Sequence, residues 1–173
     1  MIIVIDKKES KNIKKILSEK LRKTSEKGNL SKHFGKLKRN IDGLEYQISI
    51  RENEDWFVAD TNFLIYLHEG QEVVSHFLDY NFGISFISEI ELLAYRNITK
   101  AEEIKLKQLI SDCFYMDWNH KIKDKTIEIK RNYSIKLPDA IIASTAIVYG
   151  IPLITADKGF QRMEELELIL LEI

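Results

Sequence analysis

From residue 56 onward, short apolar runs alternate with stretches of helical periodicity, and this alternation narrows the possible folds more than any other feature. The runs are Phe57-Val58-Ala59, Ile84-Ser85-Phe86, Phe114-Tyr115-Met116, Pro152 to Thr155 and Leu168 to Leu171. Each is too short and too uniformly apolar for a strand with one wet face. Buried strands alternating with helices indicate a parallel sheet covered on both sides. The spacing predicts helices over Phe63 to Leu67, through Glu91 to about Tyr95, Ala101 to Ile110 and Lys121 to Arg131. In the last of these, Ile122, Thr126 and Ile129 face inward. A final helix opens at Pro138, holds Asp139 in its first turn and stops at Gly150. The expected body, residues 56–173, is thus α/β, with its five apolar runs as strands of a parallel sheet covered on both faces.

Residues 1–55 have a different texture. Ile2 to Ile5 reads as a short strand, and Ser10 as the N-cap of a helix with Ile13, Ile16, Leu17 and Leu21 at helical spacing. A second amphipathic stretch carries Leu30, Phe34, Leu37 and Ile41, and Tyr46, Ile48 and Ile50 alternate in an extended segment. These apolar faces need a partner surface. The net charge of −1 conceals a division: residues 1–55 hold 14 Lys+Arg against 9 Asp+Glu (+5), and residues 56–173 hold 12 against 18 (−6). A basic arm on an acidic body can bind nucleic acid or the body itself.

No run approaches the roughly 20 apolar residues that span a bilayer, and no signal-peptide pattern is visible. The single cysteine, Cys113, cannot form an intramolecular disulfide. A reducing cytoplasm is the expected compartment.

Ligands of open parallel sheets bind beyond the carboxyl ends of the strands. Asp60 ends the first body strand, Asp157 follows the fourth, Glu91 lies in the helix after the second, and Asp139 opens the helix before the fourth. All four carboxylates are expected to converge on one edge. Such a cluster repels itself unless a cation sits within it, and oxygen-only ligation suits Mg²⁺ or Mn²⁺. Taken singly, each acid has a plainer role: Asp60 as a helix cap, Asp139 as a partner of the helix dipole, Asp157 as a turn residue, Glu91 on a solvated face. Their joint placement is what points to a site. Phosphate contacts are expected from Lys130, Arg131, Lys136 and Lys158, on an otherwise solvated basic face. The four histidines lack metal-ligand spacing, and no nucleotide-binding glycine loop or GxSxG elbow is present.

Four segments resemble the motifs of PIN-domain ribonucleases, particularly VapC-like toxins. They are Val58-Ala59-Asp60-Thr61-Asn62, Ile87-Ser88-Glu89-Ile90-Glu91-Leu92-Leu93, Leu137-Pro138-Asp139-Ala140-Ile141-Ile142-Ala143 and Leu153-Ile154-Thr155-Ala156-Asp157-Lys158-Gly159-Phe160. The resemblance implies a Rossmann-like α/β fold with a five-stranded, mainly parallel sheet, and an endoribonuclease dependent on Mg²⁺ or Mn²⁺, with Asp60, Glu91, Asp139 and Asp157 as catalytic metal ligands. It implies supporting roles for Asn62 and Thr155, an RNA substrate, and a homodimer formed through the body. Leu30 to Arg39 and the following residues resemble the nuclease-binding tail of a cognate antitoxin. That likeness implies an inhibitory arm acting in cis or swapped between protomers, with Phe34, Leu37, Arg39 and Arg51 as contact residues. The rival expectation is a catalytically silent binding or regulatory module of the same fold. Lys7, Lys8, Lys11, Lys14 and Lys15 also suggest contact with operator DNA. A haloacid-dehalogenase phosphatase is set aside because Asn62 stands where its second aspartate belongs.

Overall fold

The structure, a computed structural model, describes residues 1–6, 12–20 and 56–172. Its centre is one six-stranded sheet. The strands are β1 (Ile2–Ile5), β2 (Trp56–Ala59), β3 (Asn81–Ser85), β4 (Phe114–Met116), β5 (Leu153–Thr155) and β6 (Leu168–Leu171). Their order is β1-β6-β5-β2-β3-β4, and every pairing is parallel. Helices make the crossovers: α1 (Ile13–Lys20), α2 (Thr61–His68), α3 (Glu72–Ser75), α4 (Phe86–Leu93), α5 (Lys100–Asp112), α6 (His120–Asn132) and α7 (Leu137–Tyr149). A 3₁₀ segment, Lys158–Arg162, follows β5.

Alternation along the strands divides the core into two layers. Ile3, Ile5, Phe57, Ala59, Ile84, Ile154, Ile169 and Leu171 face a cluster completed by Ile13 and Leu17 of α1, Phe63 and Leu64 of α2, and Phe77. Val58, Met116, Leu153, Leu168 and Leu170 face Ile129 of α6 and the small-residue face of α7, where Ala140, Ala143 and Ala146 allow close approach. Inward placement of Ile122, Thr126 and Ile129 agrees with the sequence, since all three are buried. Gly150 ends α7 in the left-handed region, at φ 62°, where a Cβ is unfavourable. Among the described residues, no helix is long and apolar enough to cross a membrane.

The sheet has six strands rather than the expected five. Ile2–Ile5 pairs in register with Leu168–Leu171, and the Leu168 and Glu172 amides donate to the carbonyls of Met1 and Ile5 at 2.8 and 2.9 Å. For Ile3, Ile5, Ile13 and Leu17, the partner surface is therefore the body itself. A second difference concerns Ile84-Ser85-Phe86. The strand runs upstream instead, from Asn81 to Ser85, and Phe86 begins α4. Gly83 hides the strand's start from a pattern reading; the end of the Met116 side chain packs into the space a Cβ would take. The second amphipathic stretch and the extended arm, including Phe34, Leu37, Arg39 and Arg51, lie outside the described residues.

Candidate active site at the carboxyl edge of the sheet

The strand order creates a natural crevice. From β2 the sheet grows through β3 and β4 on one side and through β5 and β6 on the other, so the switch point lies between β2 and β5. Asp60 leaves β2 there, its amide donating to the Ile154 carbonyl of β5 at 3.1 Å. Its carboxylate is only 3% exposed, which makes it the one buried acid among the described residues. Oδ1 accepts from the Thr61 amide at 2.8 Å as the N-cap of α2, and Oδ2 accepts from the Thr155 hydroxyl at 2.7 Å. The plain capping role and the site role thus coexist in one side chain.

Thr155 also joins the two strand exits, because its Oγ1 accepts from the Asp157 amide at 2.9 Å. Asp157 caps the 3₁₀ segment through the Gly159 amide at 2.7 Å. Asp139 stands in the first turn of α7, behind Pro138, and is half-buried. Glu91 is exposed on α4, and the Thr61 hydroxyl donates to its Oε2 at 2.7 Å.

Electrostatics ties the acids together. Burial, opposed by the Thr155 and Thr61 hydrogen bonds and reinforced by the charges of Asp139 and Asp157, pushes the Asp60 carboxyl up to about 6. Burial and the charges of Asp157 and Glu91 likewise raise Asp139, with Lys136 and Lys130 acting in the opposite direction. The four carboxylates therefore sense one another, and basic side chains stand on one flank. Lys130 donates to the Ile135 carbonyl and so closes the loop into α7. Lys136 is the exposed N-cap of α7, Arg131 is exposed, and Lys158 lies 3.6 Å from Glu172.

The donor chemistry fits a hard divalent cation: oxygen only, anionic, and short of counter-charge. Among the described residues, however, no three His, Cys, Asp or Glu side chains converge closely enough to hold a metal by themselves. Mg²⁺ retains several waters and commonly takes only one or two direct carboxylates, so the set fits that mode of binding.

Of the polar supports expected, Thr155 is at the centre and Asn62 is exposed on α2. The sequence reading overlooked Thr61, which links Asp60 to Glu91. Its adjacency to Asp60 at a helix start was the available signal, because a first-turn hydroxyl lies beside the cap.

Residues 57–166 match the PIN domain family. No curated protein matches the sequence. Among solved structures, the chain is similar to a toxin–antitoxin complex from Klebsiella pneumoniae at 26% identity and a TM-score of 0.56, over 64% of this chain and 94% of that one. It is also similar to VapBC2 from Rickettsia felis bound to a DNA fragment from their promoter, at 19% identity and a TM-score of 0.58, over 68% and 99% of the two chains. VapBC-1 from nontypeable Haemophilus influenzae follows at 24% identity and 0.52, over 65% and 96%. The last two likenesses are of fold alone. With well over half of its length in the family match and the acidic motifs at one sheet edge, the chain belongs to the PIN domain family.

Proposed function

We propose that the protein is an endoribonuclease toxin that hydrolyses RNA phosphodiester bonds with Mg²⁺ or Mn²⁺. The observation that carries this reading is the mutual electrostatic coupling of Asp60, Asp139 and Asp157 at the switch point, with Glu91 drawn in by Thr61. When bound, a divalent cation supplies positive charge against the phosphodiester and makes water in the site more acidic. Asp60 and Asp139, whose ionised forms are the costliest, gain most from that charge. Thr155 and Thr61 hold Asp60 and Glu91 in orientation. Lys136 and Lys130, beside Asp139, provide cationic contacts for a neighbouring phosphate.

Cleavage of structured RNA by the full chain tests this directly. Activity should require Mg²⁺ or Mn²⁺, vanish with a chelator, and fall by at least about 100-fold in Asp139→Asn. Metal-independent cleavage would contradict the proposal.

The charge division suggests self-control. A +5 segment tethered to a −6 body has an effective concentration on the order of mM, and the span from Arg39 to Asp60 reaches about 70 Å when extended. We propose that Arg39 and Arg51 pair with the carboxylates and compete with the metal, in cis or across a homodimer. The alternative is a silent binding module of the same fold that keeps the acids without turnover. Measured turnover separates the two. Contact with operator DNA would rest on Lys14 and Lys15, exposed on α1, and on Lys7, Lys8 and Lys11, which lie outside the described residues. A cytoplasmic location suits an RNA target.

A further inference from the structure

The carboxyl edge that carries the acids continues past β3 and β4, where it carries aromatic side chains instead. Phe86 is the first residue beyond β3, and Trp118 lies two residues beyond β4. Their rings meet edge to face, with centroids 5.6 Å apart and an interplanar angle of 82°. Phe86 thus braces the indole while 44% of Trp118 stays exposed. The Trp118 amide donates to Asp117 Oδ1 at 2.7 Å, which fixes the local backbone. Nearby on β4, Tyr115 is 43% exposed. Exposed His120 and Lys121 follow at the start of α6.

An indole left 44% exposed keeps much of its apolar surface in water, which packing against Phe86 does not cover. Its value lies in a flat partner. β4 is two strands from β2, so the platform stands roughly 10 Å from the acidic crevice along the same edge. That separation is within reach of a short single-stranded segment. Unpaired bases stack on aromatic faces, whereas bases within a duplex present no free face.

We propose that Trp118, braced by Phe86, is a stacking platform for an unpaired base of the RNA strand whose phosphate lies at the acidic crevice. The proposal rests on the nuclease reading and makes the substrate class single-stranded or looped RNA.

The test uses the full chain carrying Asp139→Asn, with Mg²⁺, titrated with a single-stranded RNA oligonucleotide and with the same sequence fully paired. The single strand should quench tryptophan fluorescence and bind; the duplex should do neither comparably. Trp118→Ala should weaken single-strand binding about 5- to 150-fold, and Trp118→Phe should stay within a few-fold of the parent while losing the quench. The proposal is overturned by unchanged affinity in Trp118→Ala, by a quench that survives in Trp118→Phe, or by no single-strand binding at all. It is equally overturned if Trp118→Ala changes only the sedimentation of the protein, since the face is then a contact between copies. Because Trp118→Phe keeps an aromatic ring, it decides the matter even if the alanine variant fails to fold. Wild-type cleavage that is indifferent to Trp118 would remove the platform and leave the nuclease. Stacking on Trp118 without cleavage would do the reverse.

Discussion

Asp60 bears the greatest electrostatic burden of the site, being nearly sealed from water and facing two further carboxylates. Its folded value of about 6 lies above the ordinary 3.8, so the native state binds this proton more tightly than the unfolded chain does. The stabilisation is therefore complete below about pH 4 and is lost as pH rises through 6. Two pH units correspond to about 3 kcal/mol. Asn at this position retains one of the two acceptors, so Asp60→Asn should stabilise the protein by about 1–2 kcal/mol at pH 7 in metal-free buffer. Thermal melting from pH 4 to 7 checks this: the variant's curve should be flatter, and a less stable variant with the parent's pH dependence would refute the assignment. Thr61 gives a second prediction. Thr61→Val removes the hydroxyl that holds Glu91 and should cut the cleavage rate about 10- to 100-fold, with Thr61→Ser restoring most of it. Equal rates in all three proteins would show that the hydrogen bond has no role. At this scale the positions of Asp60, Asp139 and Asp157 in the fold were legible because each follows an apolar run or opens a helix, whereas Glu91 lies in the second turn of α4. Thr61 was not, since its importance depends on where its hydroxyl points, and neighbouring Asn62 is the more conspicuous polar residue.

Short elements with strong punctuation were the most legible. β4 and β6 fall where their apolar runs lie, and α7 is bracketed by Pro138 and Gly150. The Thr99 capping box with Glu102 fixes the start of α5. One element was read out of place and one escaped. β3 was placed too far downstream because Asn81, Phe82 and Gly83 carry no continuous apolar run, and α3 is a single turn held by Val73, Val74 and Phe77 in the core. The N-terminal strand and helix were visible as elements, but their destination was not. Ile3, Ile5, Ile13 and Leu17 are each at most 2% exposed, so β1 and α1 belong to the core of the nuclease fold. Ile5→Ala should accordingly cost about 2–5 kcal/mol, as for other buried aliphatic truncations. Chemical denaturation measures it, and a loss below about 0.5 kcal/mol would mean that β1 is only loosely docked.

At the scale of the molecule, the sheet order sets the chemistry: it opens a crevice at β2 and β5 and delivers acids to it from four separate elements. The same order extends the edge towards Trp118. The charge division between the N-terminal third and the remainder bears on control rather than on fold. Because β1 and α1 complete the core, removing residues 1–55 would damage the fold along with any inhibitor. Substitution within the arm is therefore the informative change. The decisive measurement is cleavage of structured RNA with Mg²⁺ or Mn²⁺ by the full chain and by its Arg39→Ala/Arg51→Ala form, each with and without Asp139→Asn. The predicted result is metal-dependent cleavage that is faster in the arginine variant and lost with Asp139→Asn. No metal-dependent cleavage in either form, or cleavage that survives Asp139→Asn, would contradict the assignment of the four carboxylates as a nuclease centre.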